Sequence, residues 1–496
     1  MLKHELEKLV KSLSASEKKS FRSYCNKHGS ASDYLILFEL ISNHTISSKM
    51  SPEEAFNKKY PEKSYENTVR YLYQVLTDML LQVRVDQDKW FARHYSLMKA
   101  RLCFERSLPE QALKELKKTQ KIAEESQDHL VHYLAARMKL TQIADTGFQG
   151  LGEQDLVTLQ MQSRQSLLNL RQIHEHYSLY ELLSYRLTYS SGILSEKDKK
   201  KLNDLVLSEL SLITRRGKQD FEPKKLHLLF QSFFFMHTGE YKSALKVFKE
   251  LNALIQANEP MWDYPPYDYL SALDGILDSL RNIAYFKEMD YFIEKTAQLA
   301  ERNYPEHFNS VATQTVHLYR LNMLVGKGQN LEAIHFFDTI KPYLNQKDGI
   351  ANYEKHIEIL FFAGIAFFHT GQYQKANKLI GYAIDAGKNI NGLEVNKACR
   401  LLHIIIHLEL DNIDYLNYEI RAYKRTFRKH GKSLLIEKLT FNLIAIDPKR
   451  CSPVKKKLLW KKVEPQTAAV MADKYEQQLL KYFNFCQWIE QKYKTK

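Results

Sequence analysis

Glycine and proline are scarce, at 17 and 12 of 496 residues, about half of ordinary usage. A fold of many short strands needs turn residues at every strand end, so the shortage argues against an all-β chain and for long helices. The five cysteines, Cys25, Cys103, Cys399, Cys451 and Cys486, are odd in number, widely spaced and free of any C-x-x-C pair. That pattern argues against a disulfide framework or zinc knuckle and fits a reducing compartment. The longest uncharged apolar run, 359–368, is about half of what a membrane span requires. The first ten residues, MLKHELEKLV, alternate charges where a secretory signal would place an apolar core. A cytoplasmic protein without a membrane span is expected.

Motifs that carry chemistry are missing as well. There is no phosphate-cradling glycine loop, G-x-S-x-G, H-E-x-x-H or calcium loop. His403 and His407 in LLHIIIHLEL stand one helical turn apart and could face one ion, yet a stable site needs further ligands. With three isoleucines between them, they read first as residues of a packed helix. The pair His129 and His132 and the run HEH at 174–176 are looser still. A non-enzymatic protein with no cofactor and no metal is the expectation.

What is present is apolar mass and charge: 44% apolar residues and a net charge of +14. From Arg421 onward there are 19 Lys and Arg against 6 Asp and Glu, so nearly all the excess sits at the C-terminal end. Arg421, Arg425, Arg428, Lys455, Lys456, Lys457, Lys461 and Lys462, interleaved with aromatics, compose a patch suited to an anionic partner, nucleic acid included. The competing reading is a solvated helix face that closes the molecule with Trp460 packed inward.

One pattern recurs. HTGEYKSA begins at His237 and HTGQYQKA at His369, 132 residues apart. A glycine shortly before an alanine, between two apolar helical runs, marks two antiparallel helices joined by a tight turn. Gly239 and Gly371 end the first helix in the left-handed conformation. Ala244 and Ala376 seat the helix crossing, where larger side chains would overpack. Three units of 44 residues fill the interval, the length of one helical hairpin. Gly328 with Ala333 fits that step, Ala112 in ERSLPEQALKEL lies 132 residues before Ala244, and steps back from Gly239 land near 195 and 151. YFKEMDYFIEKTAQLA and LDNIDYLNYEI are weaker matches. Seven or eight hairpins between about 91 and 431 are expected.

Leu360, Ala363, Gly364, Phe367, Gly371, Tyr373, Ala376, Ile380 and Ala383, and less fully Leu228, Phe235, Gly239, Tyr241, Ala244 and Phe248, fall at the packing positions of the tetratricopeptide repeat family, which the chain resembles. The resemblance implies an all-α fold: a right-handed α-solenoid of tetratricopeptide-like hairpins whose first helices line a concave groove that binds a protein or peptide. Residues 1–90 resemble the N-terminal part of uncharacterised bacterial repeat proteins. Three segments follow: an N-terminal helical module (1–90), the repeat solenoid (91–431) and a basic helical capping region (432–496).

The groove residues so implied are Phe233, Met236, His237, Phe361, Ile365, Phe368 and His369. Members that clamp a peptide carboxylate present Lys, Arg and Asn there, whereas this chain has Leu229, Phe233, Phe361 and Ile365. Because LHLLFQSFFFMH and IEILFFAGIAFFH are apolar almost all round, either the array fills its own groove or an apolar partner segment does. In the N-terminal module, Ser14 to Glu17 and Ser51 to Glu54 have capping-box spacing, and a helix is expected from about Tyr65 to Val85. Asn67, Thr68, Arg70 and Tyr71 could belong to a helix-turn-helix, although the module is nearly balanced in charge. A capping role competes with that reading. MWDYPPYDYL at 261–270 reads as a linker or an extended docking peptide.

Overall fold

The computed structural model describes residues 2–27, 33–44, 50–189, 195–214, 220–344, 352–387, 394–427, 433–446 and 451–494. Among them every regular element is a helix. The chain forms two compact units, the first of residues 1–172, 263–265 and 303–308, the second of the remainder.

In the first unit, α1 (Leu2–Ser12), α2 (Ala15–Lys27), α3 (Asp33–Ser42), α4 (Pro52–Lys59) and α5 (Tyr65–Gln87) share one core around Leu6, Phe21, Phe38, Phe56, Leu72 and Leu76. Both capping boxes form: the Glu17 amide donates to Ser14 Oγ at 3.2 Å while the Ser14 amide donates to Glu17, and Ser51 and Glu54 repeat the exchange. Thr68 faces inward, its hydroxyl donating to the Ser64 carbonyl at 3.1 Å, so it cannot serve a base-reading face; Asn67, Arg70 and Tyr71 are exposed. Next come α6 (Lys89–Glu105), α7 (Pro109–Glu125), α8 (His129–Asp145) and α9 (Glu153–Tyr189), of which α9 is shared between the units at residue 172. Ala100, Leu116 and Ala135 form the small seam of α6, α7 and α8.

The turn steps expected near 151 and 195 fall at the two ends of α9, a single helix of 37 residues. No glycine or proline occurs within it, so nothing in the sequence breaks it into a hairpin.

The second unit continues with α10 (Glu196–Lys200), α11 (Asn203–Thr214), α12 (Phe221–His237), α13 (Tyr241–Ala257), α14 (Tyr267–Asn282), α15 (Met289–Ala300), α16 (Glu306–Gly326), α17 (Asn330–Leu344), α18 (Tyr353–His369), α19 (Tyr373–Ala386), α20 (Glu394–Glu409), α21 (Ile413–Phe427), α22 (Leu435–Ile444), α23 (Pro453–Ala472) and α24 (Phe485–Tyr493). Each of α12 to α15, and again each of α17 to α21, packs on the helix next to it in sequence.

The turns repeat in geometry as well as in residue type. Gly239, Ala284, Gly328, Gly371 and Asp411 all have φ between 53° and 77°. After each, the next amide donates back to a carbonyl five residues earlier: Glu240 to Phe235, Tyr285 to Leu280, Gln329 to Leu324, Gln372 to Phe367 and Asn412 to His407, at 2.9–3.0 Å. This closure satisfies carbonyls that a helix end leaves open. The three steps from Gly239 to Gly371 are 45, 44 and 43 residues. Ala244, Ala333 and Ala376 are completely buried at the crossings. MWDYPPYDYL packs as a connector, with Trp262 donating to the Ile255 carbonyl at 2.7 Å and its ring lying 4.5 Å from that of Tyr269.

Candidate partner-binding faces

The expected groove residues lie in the second unit, where Phe361, Ile365 and Phe368 are covered while His237 and His369 are exposed. Phe361, Ile365 and Phe368 are buried, and so cannot meet a partner as the chain stands. The cover is the chain's own segment between α23 and α24. Tyr482 sets its ring perpendicular to that of Phe361 at 6.0 Å, and Phe483 lies 5.7 Å from Phe368 and stacks on His369 at 5.9 Å. Charge seats the same segment: Lys481 pairs with Glu394 at 2.7 Å, Lys474 with Glu196 at 3.2 Å, and the Tyr475 hydroxyl donates to Glu196 at 2.7 Å. Phe233 and Met236 are half-buried and His237 is exposed, with the Phe233 and His237 rings 4.4 Å apart. Protein crowds the His237 imidazole on its other sides, and that loss of hydration holds its pKa below the usual range.

Beside this cover lies a polar network that the sequence pattern did not reveal. Arg281 on α14 bonds Asp278 and, across to α18, Glu358, while Lys355 reaches Asp274 at 2.6 Å. The Arg281 guanidinium sits over the Tyr319 and Tyr482 rings. Charges this deep hold only because each has a partner. Glu354 is different. Solvent reaches it, and burial together with the nearby Glu358 pushes its carboxyl up to about 7.

The basic residues lie on two helices. Arg421 and Arg425 are exposed on α21; Lys455, Lys457, Lys461 and Lys462 are exposed and Lys456 half-buried on α23. Arg428 lies outside the described residues. Trp460 is half-buried beneath Lys494, whose ammonium is 5.8 Å from the ring.

The histidines have internal partners. His403 and His407 are buried with their Nε2 atoms 3.3 Å apart, and Asn412 sits 3.1 Å from His407 Nδ1. Glu209 Oε1 accepts from His176 and His227 at 3.0 Å each, which ties α9, α11 and α12 together. His132 meets Ser166 at 2.8 Å, joining α8 to α9. Among the described residues no group of three His, Cys, Asp or Glu is placed to hold a metal ion, and no helix is long and apolar enough to cross a membrane.

Exposed apolar side chains occur elsewhere, in the first unit. Met98 and Leu102 on α6, Leu130 and Leu134 on α8, and Val157 and Met161 on α9 all stand in solvent, from 37% exposed at Leu134 to 62% at Met98. On α6 they lie opposite the buried Ala100, and on α8 and α9 they lie on the sides turned away from His132 and Ser166, which join those two helices, so the exposed residues of α8 and of α9 face different ways. Within each pair the two residues are four apart and share one helix face. These residues were missed because the first units were recognised by spacing alone, and apolar pairs four residues apart read in the sequence like the core face of a helix.

No protein-family model matches the chain, and no curated protein matches it.

Proposed function

We propose that the chain is a non-enzymatic, tetratricopeptide-like scaffold, a right-handed α-solenoid, that docks a protein partner on the exposed apolar residues of the neighbouring helices α6 and α8. The observation that carries this reading is that Met98, Leu102, Leu130 and Leu134 on these two helices stand in water. Soluble proteins seldom leave such side chains together unless something covers them. The part of the expected groove around Phe361 and Phe368 does not compete, because Tyr482 and Phe483 cover it. The test is affinity capture from lysate with the full chain and with Met98→Asp/Leu134→Asp. Proteins held by the wild type and lost by the variant, at unchanged melting temperature, support the reading; an identical captured set contradicts it.

A second reading has its own observation. The α23 lysines are exposed, and none of Lys455, Lys457, Lys461 and Lys462 forms an ion pair among the described residues. A nucleic-acid role through this helix requires binding to generic DNA or RNA that weakens steeply with salt. Absence of binding at low ionic strength removes it.

A further inference from the structure

Independently of the docking reading, the geometry points to a site for a divalent transition metal of zinc's class at His403 and His407. Both residues lie on α20, one turn apart, and Ile404, Ile405 and Ile406 between them are completely buried. That packing fixes the helix and leaves the two imidazoles on one side, toward Tyr415 and Glu419 of α21. Their rings stand at 82° with centroids 4.5 Å apart, and the two Nε2 atoms approach to 3.3 Å.

The distance decides what the pair can hold. Two imidazole nitrogens on one tetrahedral zinc, each at about 2.0–2.1 Å, stand about 3.3–3.4 Å apart. The right angles of a square-planar or octahedral ion would draw them to about 2.8–3.0 Å. Imidazole also selects zinc, copper or nickel over magnesium and calcium, which take oxygen. The opposite ring nitrogens have partners of their own: His403 Nδ1 faces Glu419 Oε2 at 3.6 Å, and His407 Nδ1 lies 3.1 Å from the Asn412 amide. Histidines that bind a metal carry such partners on the second nitrogen, which fix ring and tautomer. For His407 to bind through Nε2 its proton sits on Nδ1, with the Asn412 amide turned so that its oxygen accepts it. The pair is reached from the surface, since His403 is 8% exposed, His407 6% and the neighbouring Tyr415 42%, so water completes the coordination. Arg400 offsets part of the Glu419 charge, and the affinity is that of two imidazoles rather than of a charged cage.

The experiment strips the full chain with a chelator and titrates it with zinc chloride by calorimetry. One zinc per chain is expected, with a melting temperature that rises on zinc and falls back on EDTA. His403→Gln or His407→Gln should weaken binding at least about tenfold, whereas His335→Gln, at an exposed position on α17, should leave it unchanged. Asn412→Asp, also at an exposed position, should bind more tightly than the wild type, because a carboxylate then holds the Nδ1 proton of His407. No uptake by the wild type, uptake unchanged in folded His403→Gln and His407→Gln, or weaker binding by Asn412→Asp overturns the inference. Should either glutamine variant melt early, X-ray absorption at the zinc edge of the wild-type complex decides: two imidazoles per zinc support the site, and fewer overturn it.

Discussion

At the scale of single residues, the turns give a test with opposite signs. A Cβ added at Gly371 would meet nothing within 4 Å, so its φ of 75° is the whole reason for glycine there. Gly371→Ala should lower stability by about 1 kcal/mol, the cost of holding a side-chain-bearing residue in the left-handed region. Ala284 sits in the same conformation with φ 53° and no such freedom, so Ala284→Gly should raise stability by about 0.5–1 kcal/mol. Chemical denaturation of both variants checks the pair. Glu354 gives a pH test. Its carboxyl is raised to about 7, above an unfolded carboxyl near 4.3, so the folded chain holds the proton more tightly than the unfolded one. Its contribution is intact below the unfolded pKa and is lost as pH rises through about 7. Glu354→Gln should therefore melt higher than the wild type at pH 8 and about equally at pH 4; equal melting at both would remove the perturbed carboxyl from the account.

At the scale of elements, the hairpin turns were readable wherever glycine marked them. Gly239, Gly328 and Gly371 stood out, whereas Ala284 adopts the same turn with a residue that carries no left-handed preference and Asp411 with one that carries only a weak one. The cover of the second unit was not readable. Lys481, Tyr482 and Phe483 lie more than 100 residues from Phe361 and Phe368, and apolar periodicity reports which face is buried, never what buries it. Hence Phe361, Ile365 and Phe368, three of the seven expected groove residues, proved to be core. Phe483→Ala should destabilise by about 3–5 kcal/mol, as removal of a buried ring does, whereas Leu134→Asp on the exposed side of α8 should shift the denaturation midpoint hardly at all. A Phe483→Ala variant as stable as the wild type would show that the segment is a loosely held cover.

At the scale of the whole molecule, the scarcity of breakers and the uniform turns led correctly to an all-helical chain. The docking residues emerged only from side-chain exposure, because Leu134 and Met98 read in the sequence like any other helix-core residue. The most direct measurement is site-specific photo-crosslinking in living cells, with a photoreactive amino acid placed in turn at Leu134, at Met98 and at Tyr382, which is exposed on α19 in the second unit. Discrete adducts with another protein at Leu134 and Met98 and none at Tyr382 are predicted. No adduct at the first two positions, or the same adducts at all three, would contradict docking on α6 and α8.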